Sequence, residues 1–167
     1  MNPGTTCDTA TRFVENGDST VTDHLTGLVW EKKTTVAGSG VNPSDRHDVD
    51  NIYTWTNGDA DLTDGDGTLS TDFLADLNSG GGFAGANGWC LPTIQELQTI
   101  LLPETYPCVT SPCTVPELGS DTAIYYWSAS TYAPNPTIAW FVHTTNGYAT
   151  FGNKTNFYFV RAVRSGS

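Results

Sequence analysis

Basic charge is scarce in this chain. Seven Lys and Arg face 18 Asp and Glu across 167 residues, a formal net charge of −11. Nucleic acid, heparin-like polymers and anionic membranes all need a basic stripe, so the balance argues against each as a partner. Long apolar runs are missing too. None approaches the ~20 residues that cross a bilayer as a helix, so no membrane insertion is expected. The opening MNPGTTCDTA has neither a basic nor an apolar segment and does not read as a signal peptide; its Met reads as a start placed after a removed leader. Zinc-type cysteine spacing is absent. Of four cysteines only Cys108 and Cys113 lie close together, in CVTSPC, with no second pair and no histidine nearby. Charged residues of either sign reach only 15%, and Thr, Gly, Asn and Ser take their place, which favours strands and turns over long helices.

What is present reads as a globular, exported protein. Hydrophobic residues make up 38% and aromatics 11%, enough over this length for a real core, and residues 1–167 read as a single domain. The even cysteine count, low Lys and abundant Asn and Thr fit an extracellular setting, on a cell or virion surface. Cys108–Cys113 then reads as a local disulfide and Cys7–Cys90 as a long one, although sequence does not fix the connectivity.

Along the chain, RFVENGDSTVT (Arg12–Thr22) predicts a hairpin turning at Asn16-Gly17-Asp18, and GLVWEKK (Gly27–Lys33) a short strand. Residues 34–52 read as a loop and Tyr53–Trp55 as another short strand. NGDADLTDGDGTL, residues 57–69, resembles a calcium loop, but the EF-hand pattern fails at its first and twelfth positions, which fall on Leu62 and Phe73. An irregular calcium site on Asp59, Asp61, Asp64 and Asp66 is one reading; the plainer one is a solvated acidic turn. Ser70 or Thr71 starts a short helix with Phe73, Leu74 and Leu77 inward. Thr93-x-x-Glu96 after Pro92 is a capping box, and Ile94, Leu97, Ile100 and Leu101 repeat at helical spacing until Pro103.

The last third is aromatic and nearly uncharged until its end. IAWFVHTTNGYATFG predicts a hairpin with a two-residue turn at Asn146-Gly147, pairing Thr145 with Tyr148 and His143 with Thr150. One face then carries Ile138, Trp140, Val142, Ala149 and Phe151 and reads as core. The other carries Phe141, His143, Thr145, Tyr148 and Thr150 and reads as the wet face. The final strand, Phe157–Arg164, is apolar on both sides, so it reads as central, and Arg161 must be buried with a partner, Glu96 or Glu31 being the candidates.

Three blocks carry a family resemblance: RFVENGDSTVTDHLTGLVWEKK, GWCLPTIQELQTIL, and Tyr125 to Gly166 ending in VRAVRSG. Together they resemble the C-terminal domain family of the Legionella collagen-like adhesin. Cys90 stands where that family usually has Arg in WRLPT. The aromatic-x-VR-x-VR ending is also similar to C-type lectin-like domains, among them the formylglycine-generating group and the variable proteins of diversity-generating retroelements. The resemblance implies an α+β fold of C-type lectin-like type, with an irregular antiparallel sheet, two short helices, long loops and neighbouring terminal strands. It places the ligand surface just before the last strand.

Function follows as an expectation. No cysteine follows Cys113, so formylglycine-type chemistry does not carry over, and His24, His47 and His143 sit in no nucleophile motif; the chain does not read as an enzyme. Phe141, His143, Thr145, Tyr148, Thr150, Asn153, Lys154 and Asn156 offer the aromatic and amide mix of a binding surface for a cell-surface glycan or protein. No cofactor is required, calcium being the one cation the acidic loop would suit. A structural or oligomerising head on a surface fibre or phage receptor-binding protein is the alternative.

Overall fold

The computed structural model describes residues 12–102, 111–122 and 124–166. Two antiparallel sheets form its frame. In the first, β1 (Phe13–Glu15), β2 (Thr20–Asp23), β3 (Leu28–Glu31) and β7 (Val163–Ser165) lie side by side in that order. The predicted hairpin at Asn16–Asp18 joins β1 to β2, with Gly17 at φ 82° making the turn. The last strand pairs with β3, Leu28 opposite Ser165, so early and late strands are neighbours, as the resemblance implied. In the second sheet the order is β4 (Tyr125–Thr131), β5 (Ile138–His143) and β6 (Tyr148–Asn153). Helix is scarce and short, and the architecture is α+β.

Helical structure appears where the sequence signals stood. A helical turn over Leu69–Leu74 runs into α1, Ala75–Leu77, burying Leu69, Phe73 and Leu77. The capping box forms: Thr93 accepts from the Glu96 N–H, and the Glu96 carboxylate accepts from the Thr93 N–H at 2.7 Å. The helix it opens, α2 (Ile94–Gln98), ends earlier than the apolar repeat. Leu101 instead forms a strand-like bridge to Thr114.

Two cores flank the β4–β6 sheet. One gathers Trp127, Phe141, Val160 and Tyr53 with Phe73 and Leu77 of the α1 side. The other gathers Tyr126, Val142 and Trp30 with Ile94 and Leu97 of α2 and Ile100 just beyond it. Both faces of the sheet are therefore covered, and β6 is its edge.

The hairpin register differs from the expected one by two residues. His143 pairs with Tyr148, Val142 with Ala149, Phe141 with Thr150 and Trp140 with Phe151, around a loop of Thr144–Gly147. Thr144 is the reason. It is buried, its N–H donates to Ile124 O (2.8 Å), its hydroxyl to Thr122 O (2.9 Å), and its carbonyl accepts from Cys113 N–H (2.6 Å). A residue so committed cannot face Ala149 in a ladder. An even shift preserves which side chains share a face, but the depth assignment reverses in part. Phe141, expected on the wet face, is 4% exposed, whereas Phe151, expected in the core, is 43% exposed.

The predicted final strand is also divided. Tyr158 bridges Tyr53, Phe159 bridges Tyr126, and only Val163–Ser165 joins the first sheet. The chain thus crosses from one sheet to the other, and Arg161 sits at the crossing. Its guanidinium is fully buried and donates to Glu31 O (2.6 Å), Leu118 O (3.0 Å), Ser120 O (3.3 Å) and the Asp121 carboxylate (2.7 Å). The acid partner is Asp121, not Glu96, which is spent on its capping box, and Glu31 contributes only its carbonyl. The Glu31 carboxylate holds a second buried group: Lys33 Nζ at 2.8 Å, His47 Nδ1 at 2.8 Å and the Ala162 N–H at 2.9 Å. Burial would push this carboxyl up; the Lys33 ammonium and then the His47 ring outweigh it and hold it down at about 2.

Cys90 is a free thiol, so the expected Cys7–Cys90 bridge is not formed. Cys90 instead pairs by backbone with Val163, N–H to O at 2.9 Å in both directions, an isolated bridge that ties the segment before α2 to β7. Cys7 and Cys108 lie outside the described residues, while Cys113 is buried beside Thr144.

Candidate ligand-binding face

From Thr122 to Asn153 the chain contains no Asp, Glu, Lys or Arg, although its net charge is −11. This stretch is the whole β4–β5–β6 sheet and its turns. No charged side chain on this sheet can then pair with, or directly repel, a group brought against it.

On one side of that sheet an aromatic ladder climbs from the core to the surface. Trp127 packs on Tyr158 (ring centroids 4.5 Å), Tyr158 on Phe141 (4.8 Å) and Tyr125 (4.9 Å), Tyr125 edge-on to His143 (4.7 Å), and His143 on Tyr148 (5.2 Å). Trp127 and Phe141 are buried, and Tyr158 is half-buried. His143, Tyr125, Tyr148 and Thr150 are half-buried, and the His143–Tyr148 pair flanks the Thr144–Gly147 loop. Asn156 donates to the Tyr158 hydroxyl at 2.9 Å and joins this group.

Of the residues expected to bind, the structure brings His143, Tyr148, Thr150 and Asn156 to one side of the sheet, with Thr145 in the adjoining loop. It removes three. Phe141 belongs to the core. Asn153 is exposed but points to the opposite side of β6, with Phe151. Lys154 is buried: its Nζ donates to Thr63 O (2.9 Å) and stands 4.4 Å above the Trp55 ring. Burial lowers its pKa, against the pull of Asp64 and Asp61. Lys154 therefore pins the acidic loop to the sheet. Within that loop Asp59 accepts from Asp61 N–H, Asp61 from Thr63 N–H, and Asp66 from Asn57 N–H. Asp64 is raised by burial and then by its neighbour Asp66. Among the described residues no three His, Cys, Asp or Glu converge as metal ligands.

The opposite side of the sheet holds a feature the sequence reading missed. Tyr132 stacks on Phe151 at 4.2 Å and 18°, with Trp140 edge-on to both. Tyr132 lies outside any hairpin pairing rule, so only its proximity in a Pro-rich turn (APNP) hinted at it. Tyr125, on β4, was likewise missed; it enters the ladder because it pairs with His143.

Among the described residues no helix is long and apolar enough to cross a membrane. No curated protein and no solved structure matches the chain. A family model does match, over residues 19–164, from the β2 hairpin strand to the Arg164 of β7. The chain belongs to the Lcl C-terminal domain family, a domain associated with an adhesin.

Proposed function

We propose that this domain is the ligand-binding head of a surface-exposed adhesin-type protein, and that it engages an uncharged partner through the half-buried polar end of the aromatic ladder. The charge-free sheet on a strongly acidic chain carries this reading. Tyr125, His143, Tyr148, Thr150 and Asn156 supply flat rings and adaptable donors at low conformational cost, the mix that paratopes and sugar sites use. The neighbouring β3 and β7 support a C-type lectin-like arrangement, in which the segment before the last strand displays the ligand. Two buried ion pairs, Arg161 with Asp121 and Lys33 with Glu31, are committed to holding the fold, which supports a structural rather than a catalytic role for these groups.

The test is a screen of the purified domain on neutral-glycan and host-surface protein arrays, with Tyr148→Ala and Thr150→Ala alongside. A partner bound by the parent and lost by both variants, with melting unchanged, supports the proposal. Equal binding by all three refutes this location. A second reading, an assembly head, draws on the Tyr132–Phe151–Trp140 cluster, in which Phe151 is exposed and the other two rings are half-buried. A concentration-independent oligomer that Phe151→Asp disperses, with no partner in the screen, would favour it.

A further inference from the structure

Among the described residues the β4–β6 sheet is closed on its β4 side. Phe159 N–H donates to Tyr125 O (3.0 Å), Trp127 N–H to Phe159 O (2.9 Å) and Ala129 N–H to Pro92 O (2.7 Å). The β6 side differs. Thr144 N–H donates to Ile124 O and Lys154 N–H to Thr137 O (3.0 Å), and these end bonds fix the alternation along the ladder. Tyr148, Thr150 and Gly152 bond to His143, Phe141 and Ala139, so Ala149, Phe151 and Asn153 turn their backbone groups outward. Asn153 spends its carbonyl on the Asn156 N–H (2.9 Å). For Ala149 and Phe151 no outward backbone partner stands among the described residues.

This edge is also unguarded. Edge strands of monomeric proteins carry a Lys, a Pro, a bulge or an inward charge that stops another strand from adding. β6 reads YATFGN and pairs with β5 over six residues without a break, so it has none of these. β1, at the edge of the other sheet, is three residues long and ends in Glu15. On β6, Phe151 stays 43% exposed although it stacks on Tyr132.

The edge itself marks what adds there. A second β6 laid antiparallel, with a twofold axis through Thr150, sets Ala149 of each copy against Phe151 of the other. These pairs exchange four N–H···O bonds and use the open groups alone, leaving Asn153 with Asn156. Across the seam each large side chain meets a small one: Phe151 meets Ala149, Tyr148 meets Gly152, and Thr150 meets itself. A strand that complements itself about its own centre suits an isologous contact, in which residue i meets j and j meets i. Charge agrees. Each copy carries −11, yet Thr122–Asn153 brings no charged side chain to the seam.

We infer that two copies of this domain join edge to edge through β6, so that β4–β5–β6 continues into the second copy's β6–β5–β4 as one six-stranded sheet. The inference rests on the assembly reading and gives it a contact. Pairing consumes the open edge of both copies, so the assembly closes at two. It also sets both aromatic ladders on one face, where a partner with repeating units meets two sites at once.

Sedimentation equilibrium of the intact domain should give twice the chain mass of 17.9 kDa. Ala149→Pro removes an N–H that β5 does not use, a position where an edge strand tolerates Pro. The axis removes that bond twice, so the dissociation constant should rise roughly tenfold to a hundredfold with the circular dichroism spectrum retained. Phe151→Lys, a surface change that leaves the backbone intact, should separate the copies as well, and it keeps the test open if the Pro variant misfolds. Register is read by oxidation in a Cys90→Ser background. Thr150→Cys, opposite itself in a non-hydrogen-bonded pair, should link two chains faster than Phe151→Cys. A monomer up to about 1 mM overturns the inference together with the assembly reading. A trimer, or a dimer that keeps its affinity in Ala149→Pro and Phe151→Lys, or one that Thr150→Cys does not link, overturns the strand pairing and leaves that reading to the Tyr132–Phe151–Trp140 cluster or another surface.

Discussion

Replacing Arg161 by alanine would leave Asp121 as a buried carboxylate with no countercharge and would strip the donor from three carbonyls at once, those of Glu31, Leu118 and Ser120. Breaking a buried ion pair from one side costs about 3–5 kcal/mol. The orphaned carbonyls and the emptied volume add to this, up to a loss comparable with the whole stability of an ordinary domain, about 5–15 kcal/mol. Arg161→Lys keeps the charge but replaces a planar fork by a single ammonium, so it cannot reach four acceptors on two segments. We expect it to fall between parent and alanine. Urea unfolding followed by tryptophan fluorescence measures this directly. With a slope of roughly 2 kcal/mol/M, Arg161→Ala should lower the midpoint by at least about 1.5 M, or unfold the protein outright. The double change Arg161→Met, Asp121→Leu removes both charges and refills the volume, so it should recover part of the loss, the three carbonyls remaining without a donor. An alanine variant within about 1 kcal/mol of the parent, or a double variant no better than the single one, would refute the view that this guanidinium fastens the crossing between the two sheets.

Other outcomes follow from the same geometry. Phe141→Ala should cost about 3–5 kcal/mol by opening a cavity, and Phe151→Ala no more than about 1 kcal/mol; chemical denaturation of both checks this, and a reversed order would contradict the observed burial. Glu31 is depressed in the folded state, so its contribution is complete above the ordinary carboxylate range and is lost as pH falls through about 2. Melting measured from pH 7 to 2 should therefore show an acid limb that Glu31→Gln flattens, with a lower plateau at neutral pH. Peptide mapping without reductant should find Cys90 alkylated and Cys108 linked to Cys113; a blocked Cys90 would contradict the free thiol.

Local chemistry was readable in the sequence wherever it acts over a few residues. The capping box at Thr93 and Glu96, the Asn16–Asp18 hairpin, and the grouping of His143 with Tyr148 and Thr150 all rest on short-range rules. The hairpin loop length was not readable, because Asn146-Gly147 suits a two-residue turn and only Thr144's bonds to Thr122, Ile124 and Cys113 decide otherwise. Depth was not readable either. Both faces of β4–β6 are covered by separate cores, so alternation sorts side chains into two sets without saying which lies deeper. Lys154 reads as a polar turn residue, yet its partner Thr63 is far away in sequence. Burial of Arg161 was legible from its apolar neighbours; Asp121, forty positions earlier in an irregular segment, had no pattern to mark it.

The central claim, recognition of an uncharged partner by a charge-free face, is tested most directly by ionic strength. Binding of the parent domain to a partner from the array screen should be measured by calorimetry at low and high sodium chloride. The account predicts an affinity that changes by less than about twofold, since no ion pair crosses the interface, and its loss in Tyr148→Ala at either salt. An affinity that falls steeply with salt, and survives Tyr148→Ala, would contradict it.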